Sequence, residues 1–172
     1  MKLWFWTTLI LGFGLVGCGE TPPEKAKIDE TLYQVNNAQE LQTRFTQLNE
    51  KLATDFARFK KVEQIAFSHQ LPLDVNDLNT LNMHLVASTS LKPTKVAYCD
   101  LMNHYFAEMY RLGHYNLNLV KDVKLPRAET ENLEHDFATA DQFYDFIINR
   151  YTSYRQVQQV MNYGCNLKEA LE

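Results

Sequence analysis

Asp100, His104 and Glu108 recur every fourth residue, a spacing that stacks three metal-capable side chains on one face of a helix. That face lies opposite an apolar stripe of Tyr98, Met102, Tyr105, Phe106, Met109 and Leu112, so it reads as solvated surface before it reads as a metal site. Glu131 and His135 share the i,i+4 relation, but one pair does not close a site, and the Glu-x-x-His pattern of di-iron bundles is absent. Met102 or Met109 with a histidine is the conceivable ligand set for noncovalent haem. Such stripes are more often core. The sequence holds no Cys-x-x-Cys-His, no Gly-x-Ser-x-Gly and no His-Glu-x-x-His. These residues point away from catalysis and imply no cofactor. A small-ligand, metal or haem carrier stands as the alternative to a non-catalytic binding module.

The chain has 172 residues, with 17 Lys+Arg against 21 Asp+Glu and 45% hydrophobic residues. This length suits one domain, and the hydrophobic fraction excludes a disordered chain. The mild acidity leaves no electrostatic footprint for nucleic acid. Met1 and Lys2 precede an uncharged run from Leu3 to Val16. That run is shorter than the roughly 20 residues of a membrane-spanning helix and suits a signal peptide. It ends Leu15-Val16-Gly17-Cys18, which closely resembles the lipobox of bacterial lipoproteins. The resemblance implies cleavage before Cys18, lipid on its sulfur and an acylated amino group. Gly19 in place of Asp implies export to the outer membrane, facing the periplasm, with surface display also open. The mature chain then carries sixteen basic residues against 21 acids and neither Trp4 nor Trp6.

The organisation expected is a leader over 1–17, a lipidated tether over 18–36 and a helical domain over 37–172. Pro72, Pro93 and Pro126 divide that domain into segments, since proline lacks a donor and breaks helices. Asn37 and Glu40 mark the start of a long amphipathic helix through Leu41, Phe45, Leu48, Leu52, Phe56, Phe59 and Val62. An intramolecular bundle or a coiled-coil dimer can use such a stripe. Asp77 can cap a second helix over Leu78, Leu81 and Leu85, although Leu81, Met83, Leu85 and Ala87 also alternate as in a strand. Thr94 can cap the third, which Gly113 loosens or ends. The fourth is expected from Thr130 to Tyr163, bent near 150–153 because its apolar stripe rotates there, with Gly164 as its stop. The fold class is therefore all-α, a bundle of about four helices.

With Cys18 lipidated, Cys99 and Cys165 are the remaining thiols, and in an oxidising compartment an even pair is expected to bond. Straight helices leave a register gap of roughly 20 Å between them, which a bend must absorb. Two buried free thiols are the alternative. Phe146, Val157 and Val160 point away from the stripe running from Leu133 to Tyr151. They form the expected partner-facing patch, either for a protein partner or for another helix of the same bundle. Small helical pilotin lipoproteins of secretion systems are similar in having a lipid anchor, helices and one disulfide. That similarity names a possible job and rests on no diagnostic motif.

Overall fold

The computed structural model describes residues 28–128 and 132–172; the leader, Cys18, most of the expected tether and Glu131 lie outside them. Helix α1 spans Ala38–Val62. Asn37 starts it in extended backbone, its side chain accepting the Glu40 N–H at 2.9 Å, while Glu40 accepts the Asn36 N–H at 3.1 Å. The stripe Leu41, Phe45, Leu52 and Phe56 is buried, as its spacing demands. Part of the expected tether belongs to the domain. The Val35 N–H donates to the Asn116 side chain at 3.0 Å, and Asn116 donates back to the Tyr33 carbonyl at 2.9 Å.

Helix α2 spans Lys92–His114 and runs antiparallel to α1. Two bonds set the register. Thr94 Oγ1 donates to Glu63 at one end (2.9 Å), and the Tyr105 hydroxyl donates to Asn49 further along (2.7 Å). Thr94 is therefore not the cap; Leu91 is, and Pro93 sits in the first turn, where a missing N–H costs nothing. Gly113 neither loosens nor ends the helix. A Cβ there would lie 2.0 Å from Cδ1 of Phe137, so glycine is what lets that ring lie against the backbone.

Between α1 and α2 the expected second helix is a 3₁₀ segment, Leu78–His84, and Phe67 meets Val86 in a single antiparallel bridge. Its buried residues, Leu78, Leu81 and His84, are three apart, which is the 3₁₀ period. Asp77 makes no side-chain cap because its carboxylate pairs with Arg127 at 2.9 Å. The loop ahead of this segment is pinned by Lys60. Its Nζ donates to the His69 and Leu71 carbonyls, both at 2.9 Å, and to Nδ1 of His84 at 2.8 Å. Lys60 and His84 are each only 4% exposed. Burial pushes the Lys60 amine down, and burial, then the charges of Lys60 and His69, pushes His84 down to about 4.

The expected fourth helix is broken up. After the short α3, Leu117–Val120, come α4 (Leu133–Asp136), α5 (Ala140–Phe146) running into a π turn (Ile147–Tyr151), α6 (Tyr154–Met161) and α7 (Leu167–Leu171). Thr139 caps α5 through the Gln142 N–H at 3.2 Å. Thr152 turns extended at the expected bend, its hydroxyl donating to the Ile147 carbonyl at 2.8 Å and accepting the Tyr154 N–H at 3.1 Å. Asn162, not Gly164, stops α6, because it takes the left-handed conformation (φ 52°). These pieces wrap α2. The segment α7 packs on α2 and α5, and α6 packs on the 3₁₀ segment. The result is an all-α domain among the described residues.

Candidate binding groove

The folded-back C-terminal segments remove the register gap between the two cysteines. Cys99 and Cys165 form a disulfide with Cα atoms 4.9 Å apart, tying α2 to the turn that leads into α7. Both are buried, and Asn103 secures the same turn by donating to the Cys165 carbonyl.

The surface expected on the fourth helix does not form as expected. Phe146 is 2% exposed and Val157 0%; only Val160, at 54%, faces solvent. Phe146 stacks on Tyr151 at 5.0 Å and lies within an aromatic cluster with Phe137 and Phe143. The physical reason is the chain breaks. Residues that point away from one stripe of a straight helix find a second neighbour once the helix is cut and folded back. Buried Asp136 supports this corner, accepting from Arg150 at 2.5 and 3.2 Å.

Met102 and Met109 are fully packed in the core, as are Tyr98, Tyr105 and Phe106. Asp100 and His104 are exposed, whereas Glu108 is partly buried and accepts from the Tyr33 hydroxyl (2.9 Å) and Arg111 (2.8 Å). Burial, then the Glu108 contact, raises the Tyr33 hydroxyl. The three acids and bases do not converge, and among the described residues no group of three His, Cys, Asp or Glu side chains is placed to hold a metal.

The open apolar feature lies on the other side of the molecule, between α1 and α2. A groove of about 620 Å³ runs from Leu48 to Val62 along α1 and from Ala97 to Tyr105 along α2. Its floor is Leu48, Leu52, Phe59, Val62, Ala97 and Leu101. Leu52 is buried, Leu48, Phe59 and Leu101 are half-buried, and Val62 and Ala97 are exposed. Ile65 and Leu91, near the Glu63–Thr94 contact in the chain, are also exposed. The α1 rim carries Lys51, Asp55 and Arg58. Asp55 pairs with Lys51 and lies 3.4 Å from Arg58, so one carboxylate sits between two largely exposed cations, and Glu63, the residue that ends α1, adds a second carboxylate. Asp100 and His104 form the α2 rim.

Sequence reasoning placed Leu48, Phe59 and Val62 in the α1 stripe but did not single them out as a site. The available signal was width. Seven apolar positions on α1 span a broader arc than the four that reach the core. Comparison with protein-family models, with curated proteins and with solved structures finds no match to this chain.

Proposed function

We propose that this chain is a lipid-anchored protein of the bacterial cell envelope whose helical domain is a non-catalytic binding module. In this reading Cys18 carries the lipid, the outer membrane holds it, and the domain faces the periplasm. The observation that supports the binding role is the groove between α1 and α2: a long apolar floor left uncovered among the described residues, bordered by charged rims. Leu15-Val16-Gly17-Cys18 supports the anchor. The groove replaces the fourth helix as the binding surface, since Phe146 and Val157 are buried.

Two measurements test this. Mass spectrometry of the protein from membranes should find an acylated residue 18 as its first residue, and Cys18→Ser should move the protein out of the membrane fraction with its helix content intact. A photo-crosslinking residue at Leu101 should trap a partner in intact cells, whereas the same residue at Val160 should not. A protein that keeps Trp4 and Trp6 sinks the anchor. Equal trapping at both positions sinks the groove as the binding surface.

A further inference from the structure

Lys60 buries its amine against His84, and among the described residues no carboxylate pairs with either group. An ammonium has three N–H donors, and three acceptors meet this one: the His69 carbonyl, the Leu71 carbonyl and Nδ1 of His84. The rings of Phe67 and Phe56 lie 5.2 and 5.7 Å from Nζ and favour the positive charge. His84 therefore keeps its own proton on Nε2 and offers Nδ1 as the third acceptor. The pair can carry one positive charge, whichever of the two bases holds it. A second would set two cations 2.8 Å apart, each aiming an N–H at the other.

The charged groups that act on His84 are Lys60 on α1 and His69 in the loop, and both are bases. Carboxylates of the neighbouring segments are engaged elsewhere: Glu63 with Thr94, Asp74 with the Asn76 N–H and Asp77 with Arg127. Lys95 of α2 donates to the Ser88 carbonyl, and Arg155 of α6 donates to Asn149. A second proton on the pair is therefore relieved by separation. One side is firmly held, because the 3₁₀ segment carrying His84 is bonded to the start of α6. There the Leu78 carbonyl accepts the Ser153 N–H at 3.1 Å, and the Asn82 N–H donates to Ser153 Oγ at 2.9 Å. The loop side is not. Residues 68–72 are exposed and outside any helix, and Leu73 behind them is buried. Among the described residues, the two bonds from Lys60 are what ties 68–73 to α1, since Gln70 reaches only Gln64 at the loop's own beginning (3.2 Å).

We propose that residues 68–73 form an acid-released strap, latched by the contact between Lys60 and His84. A second proton on the pair frees Lys60 from the His69 and Leu71 carbonyls. The strap then lifts from α1 while the 3₁₀ segment stays on α6. A cavity of about 230 Å³ between strap and α1 opens, uncovering Phe56 and Leu73. Loss of the proton restores the latch. The device stands apart from the groove between α1 and α2 and does not depend on what that groove binds.

A thiol at the buried end of the strap reads its opening. In the full chain carrying Leu73→Cys, modification by dithiodipyridine, a thiol reagent active in acid, is followed by mass spectrometry of the peptide holding residue 73. Each rate is divided by that of the same protein unfolded in urea at the same pH. From about pH 7 to about pH 4.5 the ratio should rise about fiftyfold, as expected of a histidine that titrates near 4 when latched and near 6.5 when released. A thiol at Leu41→Cys, buried at the start of α1, should stay unreactive at both. Adding His84→Gln, which keeps an acceptor for Lys60 but takes no proton, should make the ratio at residue 73 flat. Adding Lys60→Met should leave the strap open and the ratio high at both pH values. An unchanged ratio in the Leu73→Cys protein overturns the proposal, as does an acid rise that survives His84→Gln. A low ratio in folded Lys60→Met overturns it too. Equal rises at residues 73 and 41 would mean that acid unfolds the whole domain, and the strap would fall with them. Should circular dichroism find Lys60→Met unfolded, the His84→Gln comparison decides.

Discussion

The pair α1/α2 and the chain after Pro126 use similar apolar side chains and end in opposite states. The C-terminal part has the more irregular pattern, with apolar residues in more directions than one stripe needs, yet it is closed. Short segments, a π turn and the disulfide fold those residues back onto α2 and onto each other, burying Phe146, Tyr154 and Val157. The helix pair has the more regular pattern and stays open on one side. Two long helices meet along one line, and among the described residues no third element covers the far side of Leu48, Phe59 and Leu101. An apolar surplus on an irregular segment is thus a sign of chain reversal, whereas a wide stripe on a regular helix is where exposed apolar surface remains.

The largest effect should come from putting charge into the closed region. Phe146→Asp places a carboxylate within the cluster of Phe137, Phe143 and Tyr151, and should cost more than about 4 kcal/mol or abolish the cooperative thermal transition. A folded, binding-defective Phe146→Asp protein would break the contrast between the two regions.

Reduction of Cys99–Cys165 comes next. The bond joins residues 66 apart, and chain-entropy reasoning assigns it about 4 kcal/mol as an upper figure. The melting temperature should drop under reductant, and hydrogen exchange should rise first in α7 and its leading turn, while α1 stays protected. Uniform loss of protection would show that the regions are not separable in stability.

Acid should weaken the corner where α1 meets the 3₁₀ segment. His84 is neutral in the fold until about pH 4 but titrates near 6.5 when unfolded, so unfolding takes up a proton between these values. Stability due to this group is full above pH 6.5 and falls as pH drops toward 4. His84→Gln keeps an acceptor for Lys60 without the titration, so its melting temperature should fall less across that window. Identical pH profiles for the two proteins would remove His84 from the acid response.

The smallest effect belongs to the open end of the groove. Val62 is 75% exposed, and Val62→Asp should change stability by less than about 0.5 kcal/mol in thermal denaturation. A large loss would mean that this surface is covered in the native protein.

Much of this was legible from residue spacing. Asn37 and Glu40 announce the start of α1, because a side-chain acceptor three residues ahead of an unpaired N–H is a local device. The buried α2 stripe follows from the same periodicity, and the cysteine pair follows from there being two thiols in the helical domain. Thr94 and Asp77 have the chemistry of local caps but are engaged by distant partners, Glu63 and Arg127 respectively. Nothing near either residue in the chain reveals that partner.

The sequence by itself determined the all-α class, the long first helix, which face of α2 is apolar and the bend near Thr152, since each follows from a pattern within a few residues. Only tertiary structure decided which apolar residues are left uncovered. Phe146 packs on Phe137 because the chain reverses at the break before α5, and the groove exists because two helices lie antiparallel in one register. Periodicity names the face of a helix that avoids water; it does not say whether the rest of the chain is long enough, and turned the right way, to cover that face.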